Sequence, residues 1–207
     1  FFMIITLVND TFNINNNGTT ISSMRFAEAL SKRGHMIRVV TCGDPEKSGI
    51  DPETGFEIFY LPELKIPIAS MLAHRQHTLF AKPVRSTLEK AIEGADVVHT
   101  YQPWWLSDMA QRIAKQMGVP AIAAFHIQPE NITYNIGLKW FPPAAHLIYF
   151  LFGALFYQRF SHIHCPSKFI GTAEKAWVQS KTAHYFKRRA PDVPPARRAK
   201  EARFKSH

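Results

Sequence analysis

An asparagine-rich loop follows the first apolar run of the chain and leads into a predicted helix. It spans residues 9–20 and ends in Asn17-Gly18-Thr19-Thr20. Gly18 permits close approach of a ligand to the backbone, and the N–H groups at a helix start are unpaired, so the loop suits a phosphate or a sugar hydroxyl. The alternative is a plain turn and helix cap, because asparagine favours such conformations. With one glycine, the loop is not the Gly-x-Gly-x-x-Gly fingerprint of a nicotinamide or flavin site.

Two further polar segments follow later predicted strands, each with a histidine at or near the strand end. The first carries His99 and Tyr101, and the second carries His126. We predict that His126 is the catalytic residue, since it could orient a hydroxyl or contact a phosphate oxygen. Sugar rings need aromatic faces and amide or carboxylate groups, so we predict acceptor or sugar contacts at Asn17, Tyr101, Gln128, Glu130 and Asn131. A structural role for either histidine is the alternative.

Two groups of residues have a spacing that resembles metal ligands. On a strand, however, His162 and His164 share one face and Cys165 faces the other, and the second group is the pair His74 and His77. We therefore predict no metal site. The chain has 2 cysteines and no Cys-x-x-Cys pair, which indicates a reducing, cytoplasmic compartment.

The elements that must position these segments alternate between strand and helix. Apolar runs predict strands at 3–8, 36–41, 57–61, 96–100, 121–126 and 162–165. Helices are predicted at about 20–33, 83–93, 106–117 and 144–160, with connections of unclear pattern at 62–80 and a loop at 127–143. This order predicts an α/β fold, a Rossmann-like parallel sheet flanked by helices. Ligands of such sheets bind beyond the carboxyl ends of the strands, where the three polar segments would meet.

The predicted helix at 144–160 is almost entirely apolar. At this length it is marginal for crossing a bilayer. One interpretation is a helix buried in the core. The other is a helix lying in a membrane interface, with which the neighbouring Lys139, Trp140 and Phe141 are compatible. The apolar start of the chain has neither a basic region nor a cleavage site, so we predict a strand there and not a signal peptide.

Charge divides the chain into a domain, residues 1–170, and a tail, residues 171–207. The net charge of +9 falls mostly on the tail, where lysine and arginine cluster around prolines, while the domain is nearly neutral. The tail is predicted to be poorly ordered. Alternatives are attraction to nucleic acid or anionic lipid, and a segment that follows a change of reading frame.

Six segments, taken in order, resemble the amino-terminal domain of family 4 glycosyltransferases, which have the GT-B fold. The resemblance covers residues 3–170. The matching segments are Asn16-Asn17-Gly18-Thr19-Thr20; Phe26-Ala27-Glu28-Ala29-Leu30 with Gly34-His35 before Val39-Val40-Thr41; Ala95-Asp96-Val97-Val98-His99; Gly118-Val119-Pro120; Phe125-His126; and Ile163-His164-Cys165-Pro166-Ser167-Lys168-Phe169-Ile170.

The resemblance implies transfer of a sugar from a nucleotide-diphosphate donor to an acceptor, with no metal and no other cofactor. Gly18 and Thr19 would lie near the donor diphosphate, His126 near the transferred sugar, and Glu130 and Asn131 along the acceptor cleft. The acceptor would be a soluble sugar or a lipid, the latter with contact to the cytoplasmic face of a membrane.

The chain departs from the family after Ile170. The family places a short helix and a strand there, and most of its donor recognition in a second domain. Neither element is predicted at 171–207, so we expect the chain to lack the donor half, to be truncated or frame-altered, and to be inactive alone. Two alternatives are a non-catalytic subunit that pairs with a separate donor domain, and another Rossmann-like nucleotide-binding protein.

Overall fold

The computed structural model describes residues 1–12, 18–74, 78–126, 129–165 and 183–185. The strands are β1 Ile4–Val8, β2 Met36–Cys42, β3 Gly49–Ile50, β4 Glu57–Leu61, β5 Val97–Thr100, β6 Ala121–Ala124, β7 Ile163–Cys165 and β8 Ala183–Tyr185. The helices are α1 Gly18–Ser31, α2 Pro67–His74, α3 Arg85–Ile92, α4 Trp105–Gln116, α5 Pro129–Asn135 and α6 Pro142–Leu155.

The strands form one sheet in the order β3-β4-β2-β1-β5-β6-β7-β8. The pairings are parallel except that of the short β3 with β4. The prediction of a Rossmann-like α/β fold is confirmed. Because β1 lies between β2 and β5, the chain changes direction across the sheet at β1, and a crevice opens beyond the tips of β1 and β5.

Both faces of the central strands are buried, which explains their nearly continuous apolar sequence. Val8 faces a core with Leu88 and Leu106, from α3 and α4. Leu7 faces the opposite core, with Ala27 from α1. A third core lies at the β6–β7 side and joins the residue after β6 to α6 and the turn that follows α6. Its aromatic members are Phe125, Tyr149, Phe156, Tyr157 and Phe160.

Glycines end two of the predicted helices as the sequence indicates. Gly34 follows α1 with a φ of 86°, and Gly118 follows α4 with a φ of 72°. Residues with side chains rarely adopt this left-handed conformation, so glycine is favoured at both positions.

Two helices lie in segments for which the sequence pattern predicts none. Helix α2 forms within 62–80, and α5 forms within the predicted loop 127–143. Each begins at a proline, Pro67 or Pro129, a residue favoured in the first turn because it needs no N–H donor there. The helix predicted from about Pro83 has a proline at its predicted start as well, but α3 begins two residues later, at Arg85.

Several predicted boundaries also shift. Strand β6 ends at Ala124, so His126 lies beyond the strand. Helix α6 begins at Pro142 and ends at Leu155, and a short 3-10 turn, Tyr157–Arg159, follows it. In the predicted tail, Ala183–Tyr185 pairs in parallel with β7, so the expectation of no strand there is wrong for these three residues. The rest of residues 171–207 lies outside the described residues.

Candidate functional site

Buried polar residues fill the crevice between the tips of β1 and β5. The Gln102 side-chain amide donates to Asn9 Oδ1 over 2.6 Å, and the backbone N–H of Asp10 donates to Gln102 Oε1 over 3.1 Å. At most 3% of any of these three residues is exposed. Reciprocal hydrogen bonds between the two tips therefore fix their spacing at the point where ligands of open α/β sheets bind.

The same polar residues hold the start of α1 above the strand tips. Asn9 Nδ2 donates to Ser23 Oγ over 2.6 Å, and the Thr20 hydroxyl donates to the backbone oxygen of Thr11 over 2.5 Å. We call this set the strand-tip network, and its members are Asn9, Asp10, Thr11, Thr20, Ser23 and Gln102. It places the first turn of α1, which contains Gly18 and Thr19, at the carboxyl edge of the sheet.

Gly18 is exposed, and a Cβ added to it would meet no heavy atom within 4 Å. The fold itself therefore does not require glycine at this position. Open space over the first residue of a helix lets a ligand approach the N–H groups of the first turn, which suits an anion.

Asp10 is a carboxylic acid that the fold removes from water. Its Oδ1 accepts a hydrogen bond of 2.8 Å from the backbone N–H of Ala81. Burial raises the pKa of Asp10 to about 7, although that hydrogen bond acts in the opposite direction. Burial, with the nearby charges of Glu63 and Asp10, raises the pKa of the Cys42 thiol to about 12. This thiol is therefore not a nucleophile at neutral pH.

His126 and Tyr101 come together at the tips of β5 and β6. Their rings stack with centroids 5.7 Å apart and planes 25° apart. His99 lies behind them, with its ring 4.5 Å from that of Tyr101 and 1% of the residue exposed. Burial lowers the pKa of His99 well below its usual value, and the nearby His164 and His126 lower it further. His99 is therefore a neutral, buried ring at neutral pH.

Glu130 and Asn131 lie on α5 and are exposed. The Tyr149 hydroxyl, from α6, donates to Glu130 Oε2 over 2.9 Å. The Tyr149 ring stacks on Phe125, the residue before His126, with centroids 6.2 Å apart. Glu130 is thus connected, through Tyr149, to the residue that precedes His126. The other two predicted sugar-binding residues, Asn17 and Gln128, lie outside the described residues.

The sequence pattern missed Asn9, Asp10 and Gln102 as site residues. A signal was available, since all three are polar residues directly beyond predicted apolar strands. It also missed His164, which contacts His126 with ring centroids 6.0 Å apart. Its position inside a strand gave no sign of that contact, because the pairing of β7 with β6 is a tertiary feature.

The outer face of α6 and the turn before it expose large apolar side chains. Buried residues lie on one side of the helix only, at Ala145, Tyr149 and Gly153. The exposed set, which we call the apolar face, comprises Trp140, Phe141, Leu147, Phe150, Leu151 and Leu155. Trp140 is 83% exposed and Phe150 is 65% exposed. Helix α6 therefore packs one face against the core and exposes the other.

The described residues contain no group of three or more histidine, cysteine, aspartate or glutamate residues that could hold a metal ion. Their helices include none with the length and apolar character needed to span a bilayer.

Comparison with known proteins identifies relatives of this sequence. The model of Glycosyltransferase Family 4 matches residues 16–173. A GDP-mannose-dependent alpha-mannosyltransferase of Corynebacterium glutamicum is 30% identical over 125 residues. That alignment covers 59% of this chain and 29% of the relative, so the chain matches less than a third of that protein.

Solved structures share the fold at low sequence identity. Sucrose-phosphate synthase from Thermosynechococcus elongatus superposes with a TM-score of 0.56 at 12% identity, covering 88% of this chain and 47% of that one. HepE of Anabaena in complex with UDP-glucose superposes with a TM-score of 0.53 at 10% identity, covering 88% of this chain and 43% of that one. Both are GT-B glycosyltransferases, and this chain corresponds to less than half of each.

Proposed function

The chain belongs to glycosyltransferase family 4, and from this we propose that it forms the acceptor side of a sugar-transfer site. The donor is a nucleotide-diphosphate sugar, and the acceptor is a hydroxyl group. The observation that carries the proposal is the convergence of His126, Tyr101 and the start of α1 on one edge of the sheet. Parallel α/β sheets bind their ligands at this edge.

Each predicted site residue has a role in this proposal. The N–H groups of Gly18 and Thr19 contact the donor diphosphate, because the start of a helix attracts anions. His126 hydrogen-bonds the transferred sugar, and Tyr101 packs beside it. Glu130 and Asn131 contact the acceptor on the exposed side of α5. Asn17 and Gln128 are proposed to contact acceptor or sugar on sequence grounds alone.

The charge of this edge bears on donor binding. The described residues of the strand tips include no lysine or arginine, over 9–12, 18–23, 41–43, 101–104 and 125–126. A diphosphate at this edge meets no cationic side chain among these described residues, and arginine and lysine are the side chains that pair with phosphate charge in proteins. We propose that donor affinity depends on residues beyond this domain, in the same protein or a partner. We also propose that transfer uses no metal or organic cofactor.

A lipid acceptor is proposed from the apolar face. Helix α6 carries no aspartate, glutamate, lysine or arginine, and Lys139 lies over the rings of Tyr134 and Trp140, 5.4 and 4.9 Å from their centroids. An exposed apolar helix face flanked by tryptophan and lysine suits the boundary between lipid headgroups and acyl chains. The proposed partner is an anionic bilayer, which the domain touches on the cytoplasmic side.

The sugar-transfer proposal is tested by binding and by transfer. UDP-glucose and GDP-mannose are the donor probes, with diacylglycerol and an alkyl glucoside as acceptors. We expect Gly18→Ala to fold normally, because the added methyl group enters open space, and to weaken donor binding measured by calorimetry. In a single-turnover assay at high donor concentration, we expect His126→Ala to abolish transfer, whereas His162→Ala, at an exposed position, keeps it.

Two results would count against this assignment. If neither donor nor acceptor perturbs the NMR signals of Gly18, Thr19 or His126 at millimolar concentration, this edge is not a sugar-transfer site. Sustained multiple turnover by the chain alone would contradict the proposal that donor affinity depends on residues elsewhere.

The membrane proposal is tested by sedimentation with phosphatidylcholine vesicles, with and without phosphatidylglycerol. We expect the chain to bind the anionic vesicles, and rising salt to weaken this binding. The double variant with Trp140→Ser and Phe150→Ser should no longer bind them. The control is Ile50→Ser, because Ile50 is 76% exposed on a distant strand. Equal binding by the double variant and the control would rule out the apolar face as the contact.

A further inference from the structure

Five rings from four segments pack together beneath the proposed site, and we call them the ring cluster: Phe26, His99, Tyr101, His126 and His164. Phe26 of α1 contacts His99 and His164, with centroids 5.3 and 5.8 Å away. His99 and His164 are 5.4 Å apart. Together with the Tyr101–His126 stack, these contacts connect the helix that carries Gly18 to His126.

Backbone pairing supports His126 only indirectly. Strand β6 ends at Ala124, which is in register with His164 of β7. The last ladder hydrogen bond runs from the Phe125 N–H to the His164 oxygen, over 2.9 Å. One residue further along, His126 has ring contacts in place of ladder hydrogen bonds. The planes of the His164 and His126 rings are 90° apart, and those of the Tyr101 and His126 rings are 25° apart.

We propose that His164 is a positioning residue that, with Tyr101, holds the His126 ring in one orientation at the site. The proposal rests on the proposed function for the role of His126, but the orientation itself is a property of the folded chain. Two neighbours at nearly perpendicular angles restrict rotation of a ring about both side-chain torsions. A catalytic ring held in this way reaches the reacting sugar without a search among rotamers.

Electrostatics support packing of these rings. Burial lowers the pKa of His164, as it lowers that of His99. Both rings are therefore uncharged at neutral pH, and they pack beside His126 without repulsion between like charges. The strand-tip network lies at another part of the same edge, so the ring contacts are a separate contribution to the orientation of His126.

The test is NMR of the chain labelled with ¹³C at the histidine rings, with His126 assigned by its loss in His126→Ala. Two variants differ in ring shape: His164→Phe keeps a ring, and His164→Leu keeps only apolar bulk. The control is His162→Ala, because His162 is exposed and its ring contacts Ser161. Backbone amide spectra report whether each variant is folded.

We expect the His126 ring signals in His164→Leu to broaden and to move toward the shifts of a flexible histidine. In His164→Phe they should stay narrow, which is the rescue that a positioning role requires. The proposal would be overturned if the His126 signals were the same in His164→Leu and in the control His162→Ala. It would also be overturned if His164→Phe and His164→Leu disturbed the His126 signals equally. These readouts need no nucleotide sugar, so failure of the transfer assay leaves them interpretable.

Discussion

The strand-tip network and the ring cluster lie at one edge of the same sheet, yet they accommodate buried polar groups in different ways. In the network, Asn9 and Gln102 hydrogen-bond each other and their neighbours, and among its described side-chain atoms Asp10 Oδ2 alone is buried without a partner. In the ring cluster, both ring nitrogens of His99 and the hydroxyl of Tyr101 have no hydrogen-bond partner among the described residues. Directional bonds fix the backbone on one side, while packing between rings orders side chains on the other.

This difference indicates which part of the domain lowers its free energy of unfolding. A buried polar atom without a partner costs about 1–3 kcal/mol, whereas a satisfied hydrogen bond contributes about 1 kcal/mol. Functional sites are where natural sequences accept such costs. The ring cluster is thus the better candidate for direct contact with substrate, and the network is the better candidate for support.

The largest expected effect is in the network. Asn9→Ala leaves the buried Gln102 amide and the Ser23 hydroxyl without their shared partner, and removes the acceptor of the Thr11 N–H. We expect a loss of about 3 kcal/mol in the free energy of unfolding, measured by urea denaturation. Gln158→Ala, at an exposed position, should change it by less than about 0.5 kcal/mol. A loss no larger than that of the control would mean that the network does not support the fold.

A second, smaller effect depends on pH. The pKa of Asp10 is about 7 in the folded state against 3.8 unperturbed. Between these values the folded state keeps a proton that the unfolded state releases, so the contribution of Asp10 to stability falls as pH rises. Asp10→Asn cannot ionise, and its oxygen can still accept from the Ala81 N–H. The free energy of unfolding of Asp10→Asn, taken relative to that of wild type, should rise by on the order of 2 kcal/mol between pH 5 and pH 8.

Denaturation curves of wild type and Asp10→Asn at the two pH values measure this gain. The matched control is Asp51→Asn, an acidic residue outside the buried site. If the stability difference between Asp10→Asn and wild type is the same at pH 5 and pH 8, the carboxyl is not titrating in this window.

The smallest expected effect is a loss of stability as pH falls, which is opposite to that of Asp10, and it comes from His99 in the ring cluster. The pKa of His99 is lowered in the folded state, so below about 6.5 the unfolded state takes up a proton that the folded state refuses. Stability is therefore lost as pH falls through this range. His99→Phe keeps a ring and removes the titration, and it should reduce the loss between pH 7 and pH 5 by about 1 kcal/mol.

Thermal or urea denaturation at pH 5 and pH 7 tests this, with His162→Phe as the exposed control. An acid sensitivity in His99→Phe equal to that of wild type would show that His99 does not set it. The remaining sensitivity is expected from His164, whose pKa is also lowered.

Much of the fold was predictable because local sequence determines it. Strands buried on both faces, such as β1, must be apolar at successive positions, and the glycines after α1 and α4 mark helix ends. Helices α2 and α5 were missed because a short helix carries little periodic pattern. The proline that starts each was a usable signal.

For the candidate site, the sequence by itself determined the residue types beyond each strand: the Gly18 loop, Tyr101, His126, Glu130 and Asn131. It also determined that they would share one edge, because parallel strands joined by right-handed crossovers end on the same side. Their chemical roles stay predictions.

Tertiary structure alone decided which of these residues touch. The contact of His164 with His126, and that of Gln102 with Asn9, join residues 38 and 93 positions apart. No local pattern encodes such pairs, because they depend on strand order and on the twist of the packed sheet. Likewise, only packing against α5 and the β6–β7 side decided which face of the uniformly apolar α6 is buried and which meets solvent.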